Sequence, residues 1–225
     1  MKQILVKKNI LGTNDEIAKR SREFLGKKGT FTINLLGSPG AGKTSVLEQM
    51  IKNLKEEVNM AVVEGDLYTT KDADRIESHG IQVIQVNTGG GCHLDASMVE
   101  KAMKHMDIEN LDFLIIENVG NLVCPASYDL SEDMKITVLS ITEGNDKPLK
   151  YPSMFQRSEV LIVNKVDLIE HTNFSMDELY KDVKSLNEDI KIFEVSCTKG
   201  DGIDKLSRFL KDKITEKRRN ASCQA

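Results

Sequence analysis

Long apolar runs are missing from this chain of 225 residues. No stretch approaches the roughly 18 consecutive apolar residues that cross a bilayer, so no transmembrane helix is expected. The apolar part of residues 1–11 is too short for a secretory signal. An excess of basic charge is missing as well. The 31 Lys and Arg are set against 35 Asp and Glu, for a formal net charge of −4, which argues against nucleic acid as the main partner. Cysteine is sparse, with Cys92, Cys124, Cys197 and Cys223 only, and no C-x-x-C pair occurs. That excludes a zinc knuckle. Internal repeats and low-complexity segments are absent. What these absences leave is a chain long enough for one α/β domain, expected in the cytoplasm with its thiols reduced and no membrane partner.

What is present is a glycine-rich loop. Gly37-Ser38-Pro39-Gly40-Ala41-Gly42-Lys43-Thr44-Ser45 matches the phosphate-binding pattern G-x-x-x-x-G-K-S/T. Its glycines let the backbone turn tightly, so that N–H groups face the β-phosphate. Lys43 would reach the β- and γ-phosphates, and the Thr44 hydroxyl would hold Mg²⁺. The flanks suit the motif. Residues 30–36 read as a short β-branched and apolar strand. Residues 43–55 read as a helix, with Val46, Leu47, Met50, Ile51 and Leu54 on one face.

The rest of the chain alternates in the same way. A leading helix is expected over 14–27, capped by Asn14 or Asp15 and packed on the core as an N-terminal extension, 1–29. Further strands are expected at 60–63, 81–86, 111–116, 134–141, 160–163 and 190–195. Helices are expected after a polar stretch 67–74, ending at His79-Gly80, and at 94–106, 176–186 and 202–217. Residues 30–217 form the predicted nucleotide-binding domain, and 218–225 a frayed tail. The pattern predicts an α/β fold of the P-loop type, a mostly parallel sheet of about seven strands with helices on both faces. Candidate functional clusters then line the carboxyl edge of the sheet, where open α/β folds bind ligands.

Asn164-Lys165-Val166-Asp167 ends a strand and matches N-K-x-D. The Asp167 carboxylate can accept from N1–H and the 2-amino group of guanine together, a donor pair that adenine does not offer. Lys165 would lie along the ring, and Asn164 would tie the segment to the phosphate loop. Downstream, Ser196-Cys197-Thr198 resembles the S-A-K segment whose backbone N–H meets guanine O6, with Cys197 as a small buried residue. These residues point to GTP.

Mg²⁺ needs a carboxylate beside Thr44. Asp66 and Glu117 end expected strands, and Asp72 lies on the polar stretch. Lys43, Asp66 and Glu117 are the candidate catalytic residues. Glu117-x-x-Gly120 mirrors the D-x-x-G of GTPases, with Gly120 donating to the γ-phosphate. Asn121 stands where Ras-like proteins carry the Gln that orients the attacking water, so slow hydrolysis is expected.

Cys92-His93 follows three glycines, and the helix N-terminus beyond it is expected to lower the Cys92 pKa. With Cys124, these residues make a ligand set for Ni²⁺ or Zn²⁺. Two core cysteines and a surface histidine would read the same way from chemistry alone.

The stretches G-S-P-G-A-G-K-T, E-G-D, D-A-D-R-I, C-H-L-D-A, E-N-V-G-N-L-V-C-P and N-K-V-D together resemble the HypB-type GTPases, nickel-insertion accessory proteins of nickel–iron hydrogenase maturation. The resemblance runs from Gly37 to Gly202. It implies a nickel or zinc site at Cys92, His93 and Cys124 and nucleotide-linked homodimerisation. It also implies a HypA-like maturation partner and a hydrogenase large subunit as client. Some members carry an N-terminal cysteine-rich or histidine-rich nickel motif. Here the first cysteine is Cys92 and only four histidines occur, so nickel storage is not expected. Ser38 also replaces a lysine that many dimerising GTPases place early in the loop. Three alternatives compete: a urease-type nickel accessory GTPase, a phosphotransferase built on the same loop, and a metal buffer without activity.

Overall fold

A computed structural model describes residues 6–67 and 69–223. Residues 1–5 of the expected extension, residue 68 of the polar stretch and residues 224–225 of the expected tail lie outside the described residues. Seven strands, β1 (Phe31–Gly37), β2 (Met60–Asp66), β3 (Gln82–Asn87), β4 (Phe113–Glu117), β5 (Met134–Ser140), β6 (Val160–Asn164) and β7 (Lys191–Val195), form one sheet. Their order is β3-β2-β4-β1-β5-β6-β7, and every pair is parallel.

Side chains alternate between two apolar layers because a strand's period is two. Ile33, Leu35, Val62, Ile115 and Ile162 enter a layer with Leu47 and Met50 of α2 (Lys43–Leu54) and Leu206 and Leu210 of α8 (Ile203–Ser222). Ala61, Val63, Leu114 and Ile116 face the other way, onto Leu25 of α1 (Val6–Lys28) and Val99 and Met103 of α4 (Ala96–Met103). Leu161 and Val163 meet Met154 and Leu179 on that side. They belong to α6 (Pro152–Gln156) and α7 (Met176–Leu186). Truncating one such residue to Ala costs about 2–5 kcal/mol. No helix among the described residues is long and apolar enough to cross a membrane.

Four differences from the sequence reading matter. First, α1 begins at Val6, so Asn14 and Asp15 lie inside it and do not cap it. Asn14 is instead buried at its packed face. Second, β2 runs on past Val63 to Asp66, because Glu64 pairs in register with Glu117 of β4 and Asp66 with Asn87 of β3. Third, two short helices, α5 (Lys147–Lys150) and α6, precede β6, each with a proline in its first turn. Prolines suit that place, where the missing N–H has no partner to lose. Fourth, α8 continues to Ser222 instead of fraying at 218. Its last turns are pinned by Lys217–Asp133 at 2.6 Å and Arg218–Asp112 at 3.2 Å. They also press on the end of α1, where a Cβ on Gly29 would lie 3.3 Å from Ala221 and from the Arg218 backbone. Between α2 and α4 lies α3 (Lys71–Glu77), which starts inside the expected polar stretch and ends before His79.

Candidate functional site

The phosphate loop joins β1 to α2 at the centre of the sheet. Gly37, Gly40 and Gly42 all have φ in the left-handed region, which suits glycine. At Gly42 space is also decisive, since a Cβ would lie 2.3 Å from the Asn164 amide nitrogen. Lys43 and Thr44 are buried at the start of α2, whose first N–H groups lack helical partners. Ser38 gives its hydroxyl to Glu143 just beyond β5. A cleft of about 470 Å³ opens over the loop.

Carboxylates floor that cleft. Thr44 Oγ1 donates to Glu117 Oε1 at 2.8 Å, while Glu117 Oε2 is buried without a partner. Burial pushes the Glu117 carboxyl up to about 7, against the pull of Lys43 and the Thr44 hydroxyl. Glu64, its register partner on β2, also has a buried, unpaired Oε2. Burial first, then the charges of Glu117, Asp66 and Asp72, push it up to about 8. Two buried carboxylates with spare oxygens beside a threonine hydroxyl fit a hard divalent cation such as Mg²⁺. Asp66 is committed to a turn. Its carboxylate accepts from Leu67 N at 2.5 Å, Thr69 N at 3.1 Å and Thr69 Oγ1 at 2.7 Å. Asp72 lines the cleft but is paired to Arg75 at 2.9 Å. Arg75 also reaches Glu48 at 2.7 Å. Sequence reasoning passed over Glu64 and Arg75. A glutamate closing an otherwise apolar strand was the available signal for the first.

The base segment is assembled from β6 and β7. Asn164 Nδ2 donates to Ala41 O at 3.0 Å, and Lys165 Nζ to Gly40 O at 2.7 Å. Asn164 ties the segment to the phosphate loop as expected, and Lys165, expected along the guanine ring, adds a second tie through its ammonium. Lys165 adopts φ 63°, one of two non-glycine residues with positive φ among those described, which turns the chain into the 3₁₀ segment Val166–His171 carrying Asp167. The Cys197 thiol donates to Asn164 Oδ1 at 3.4 Å. Burial, then Glu48 and Asp167, push it up to about 11, so it stays a thiol and is half-buried, not fully buried as expected. Ser196 is buried and its hydroxyl accepts from Lys199 N at 3.1 Å, whereas Thr198 is exposed.

The second cluster straddles the end of β2. Cys92 and His93 follow β3, and Cys124 follows β4, the two strands that flank β2. Ligand atoms of Cys92, His93 and Cys124 lie within 4.8 Å of one another, and all three residues are half-buried. Cys92 Sγ is 3.5 Å from His93 Nδ1. The His93 ring is tilted against Tyr128, with centroids 3.9 Å apart. Burial lowers the His93 pKa against the charge of Asp95, which favours the neutral imidazole that binds metals. The Cys92 expectation is overturned. Helix α4 starts only at Ala96, capped by Asp95, so Cys92 lies upstream of its N-terminus. The neighbouring Cys124 thiol and burial raise its pKa instead.

One loop touches both sites. After Glu117, Asn118 Oδ1 accepts from Leu94 N at 3.1 Å and Val119 N at 3.0 Å, and its amide donates to Asn34 at 3.2 Å. A Cβ on Gly120 would meet Pro39 of the phosphate loop at 2.9 Å. Asn121 N donates to Gly37 O at 3.0 Å. Its side chain is turned away from the role of orienting water. It donates to Cys92 O at 3.5 Å and accepts from Val123 N at 2.8 Å. Gly65 lets Leu94 close on β2, since a Cβ there would lie 2.8 Å from the Leu94 side chain.

Residues 31–194 match the nucleotide-binding domain described as CobW/HypB/UreG. The hydrogenase maturation factor HypB of Escherichia coli K12 is 45% identical over 202 residues, covering 90% of this chain and 70% of its own. The hydrogenase/urease maturation factor HypB of Helicobacter hepaticus is 41% identical, covering 94% and 88%. A crystal structure of HypB from Helicobacter pylori in complex with nickel superposes with a TM-score of 0.86 at 41% identity, covering 91% of this chain and 96% of that one. HypB from Archaeoglobus fulgidus superposes at 0.85 and 34% identity, covering 91% and 100%. The chain belongs to the CobW/HypB/UreG family and, within it, to the HypB hydrogenase maturation factors, P-loop proteins of the GTPase type.

Proposed function

We propose that this HypB-family chain is a cytoplasmic GTPase that carries nickel to a nickel–iron hydrogenase and couples its metal site to the nucleotide cycle. The observation that carries the reading is the convergence of Cys92, His93 and Cys124 on the edge that holds the phosphate loop, with Asn121 bonded to Gly37 and to Cys92 and Asn118 bonded to Leu94 beside His93. The nickel complex of the Helicobacter pylori relative supports it.

In this reading Asp167 selects guanine through its paired donors, and Lys165 and Asn164 hold the base segment against the loop. The backbone of Gly37–Thr44 and Lys43 hold the phosphates, and the Gly120 N–H meets the γ-phosphate. Thr44 and Glu117 hold Mg²⁺, with Asp66 and Asp72 as further carboxylates through water and Glu64 added by its unpaired oxygen. Magnesium, when bound, offsets charge that develops on the phosphate oxygens. With Asn121 engaged at Cys92 and Val123, no amide stands ready for the attacking water, so turnover is slow. Three ligands leave Ni²⁺ or Zn²⁺ with an open position, filled by water or by a second subunit. A nucleotide- and metal-dependent homodimer, a HypA-like partner and the hydrogenase large subunit complete the proposal. A urease-type accessory role is not favoured.

The purified protein should release phosphate from GTP and not from ATP. Nickel affinity should differ between GDP and a non-hydrolysable GTP analogue by about 5–150-fold, the usual range of coupling between sites, with a matching change in sedimentation. Phosphate release from ATP alone would favour the phosphotransferase reading. No release from either nucleotide, with equal nickel affinity in both states, would leave the metal buffer.

A further inference from the structure

We infer that Asn14 positions the nickel site, joining its two halves through one side chain. The inference rests on the metal reading above. Cys92-His93 and Cys124 come from different loops, and nothing covalent near them holds those loops together. Asn14 lies within α1, is 5% exposed, and reaches both. Its Oδ1 accepts from Ala96 N at 2.9 Å, at the first residue of α4 and just past His93. Its Nδ2 donates to Asp129 O at 2.9 Å, just past Cys124 and the 3₁₀ turn Cys124–Ser127.

The chemistry demands an amide. The position needs an acceptor toward α4 and a donor toward Asp129 at once. Aspartate of the same length supplies only the first, and leucine supplies neither. Neighbouring bonds make the link stiff. Asp95 caps α4 by accepting from Met98 N at 2.8 Å, and Tyr128 N donates to Pro125 O at 3.3 Å. Arg22, also on α1, pairs with Asp129 at 2.5 Å. The His93–Tyr128 ring contact spans the same gap from the other side. Loss of the Asn14 bonds therefore frees His93 and Cys124 to move relative to each other, and metal ligands tolerate only tenths of an ångström. This gives the leading helix a task beyond packing, and Asn14 acts through backbone atoms without touching metal.

The test is a Ni²⁺ titration of the full chain, read by the sulfur-to-nickel charge-transfer absorption. It is run on the unaltered protein, Asn14→Leu, Asn14→Asp, Leu25→Ala and a Cys92→Ala/Cys124→Ala double variant. Leu25 is buried on the same helix about three turns beyond Asn14, so Leu25→Ala lowers thermal stability, keeps both Asn14 bonds and leaves affinity and spectrum unchanged. Asn14→Leu should weaken Ni²⁺ binding about tenfold, the low end of what loss of an outer hydrogen-bond partner costs a metal site, and should alter the band. Asn14→Asp keeps the shape and one bond, so it folds where leucine does not, with a smaller loss. Unchanged affinity and spectrum in both Asn14 variants would overturn the inference, as would an equal loss in Leu25→Ala. Full binding in the double cysteine variant would instead sink the metal reading itself.

Discussion

The two ends of the nucleotide cleft differ in how finished they are. At the base end, β6 and β7 deliver a segment whose buried polar groups, Asn164 and Ser196, are matched. Asn164 bonds Ala41, Lys165 bonds Gly40 and Cys197 bonds Asn164. At the phosphate end, β2 and β4 deliver two buried carboxylates, each with an oxygen left over, beside a pair of half-buried thiols. A matched region has little to gain from changing shape. An unmatched one gains when a cation, a phosphate or a metal arrives, and those arrivals are what a nucleotide cycle changes. On the proposed reading, the cleft thus pairs a reader of nucleotide identity with a responsive reader of nucleotide state.

The largest effect that would break this contrast lies at the base end. Asp167→Asn puts a donor against the guanine donors, so GTP affinity should fall by at least ~10²-fold, the scale on which unpaired buried polar groups discriminate. Xanthine nucleotide should bind the variant better. Undiminished GTP affinity in a calorimetric titration would remove the guanine assignment.

At the phosphate end the contrast should appear as pH dependence. Glu64 and Glu117 are pushed up to about 8 and about 7 in the folded chain. Folded protein therefore holds protons that the unfolded chain has released. Without nucleotide or divalent cation, the contribution of these two groups to stability should be greatest below the ordinary carboxylate range and should be lost as pH rises through 7 and 8. A tenfold difference in proton affinity is worth about 1.4 kcal/mol, so the loss is on the order of several kcal/mol. Denaturant melts of Glu64→Gln should show a flatter profile. A profile as steep as the parent's would mean that Glu64 is not the titrating group.

Asn118→Ala tests whether the responsive end speaks to the metal. The variant loses the bond to Leu94 N, so the difference in nickel affinity between GDP and GTP-analogue states should shrink toward onefold from the ~5–150-fold of a coupled pair. Retention of the full difference would move the coupling elsewhere. The smallest effect belongs to Cys197→Ala, which removes one weak thiol contact at the base end. GTP affinity should change by less than about threefold, roughly the worth of a weak hydrogen bond, and nickel affinity should not change. A nickel defect there would blur the division between the two ends.

Local pattern made most of the scaffold legible. The strand–loop–helix around Lys43, all seven strands and the limits of α7 follow from apolar periodicity and glycine placement. The nucleotide motifs, and the Cys92/His93/Cys124 set drawn from two loops, were also legible as residues. What escaped depends on partners distant in the chain. Glu64 matters because Glu117 stands beside it in another strand, and Asn14 because Ala96 and Asp129 meet over it. Asn121 sits where a water-orienting amide belongs, yet Cys92 and Val123 claim it. The start of α4 was misplaced because Asp95, not a residue nearer Cys92, does the capping. No spacing rule carries such information.

The seam where Gly29, at the end of the first helix, meets Arg218 and Ala221, near the end of the last, has a consequence for how the protein is made. Helix α1 leaves the ribosome well before α8, the helix its end packs against. Until α8 emerges, Leu47 and Met50 of α2 and the β1 side chains beneath them lack part of their cover, and the seam cannot close. Pairings so distant in sequence also form late because closing the intervening chain costs entropy. A nascent chain stalled before residue 203 would therefore carry a complete phosphate loop and both metal-ligand loops on an unfinished body. On the nickel reading, competence for cargo then waits for α8.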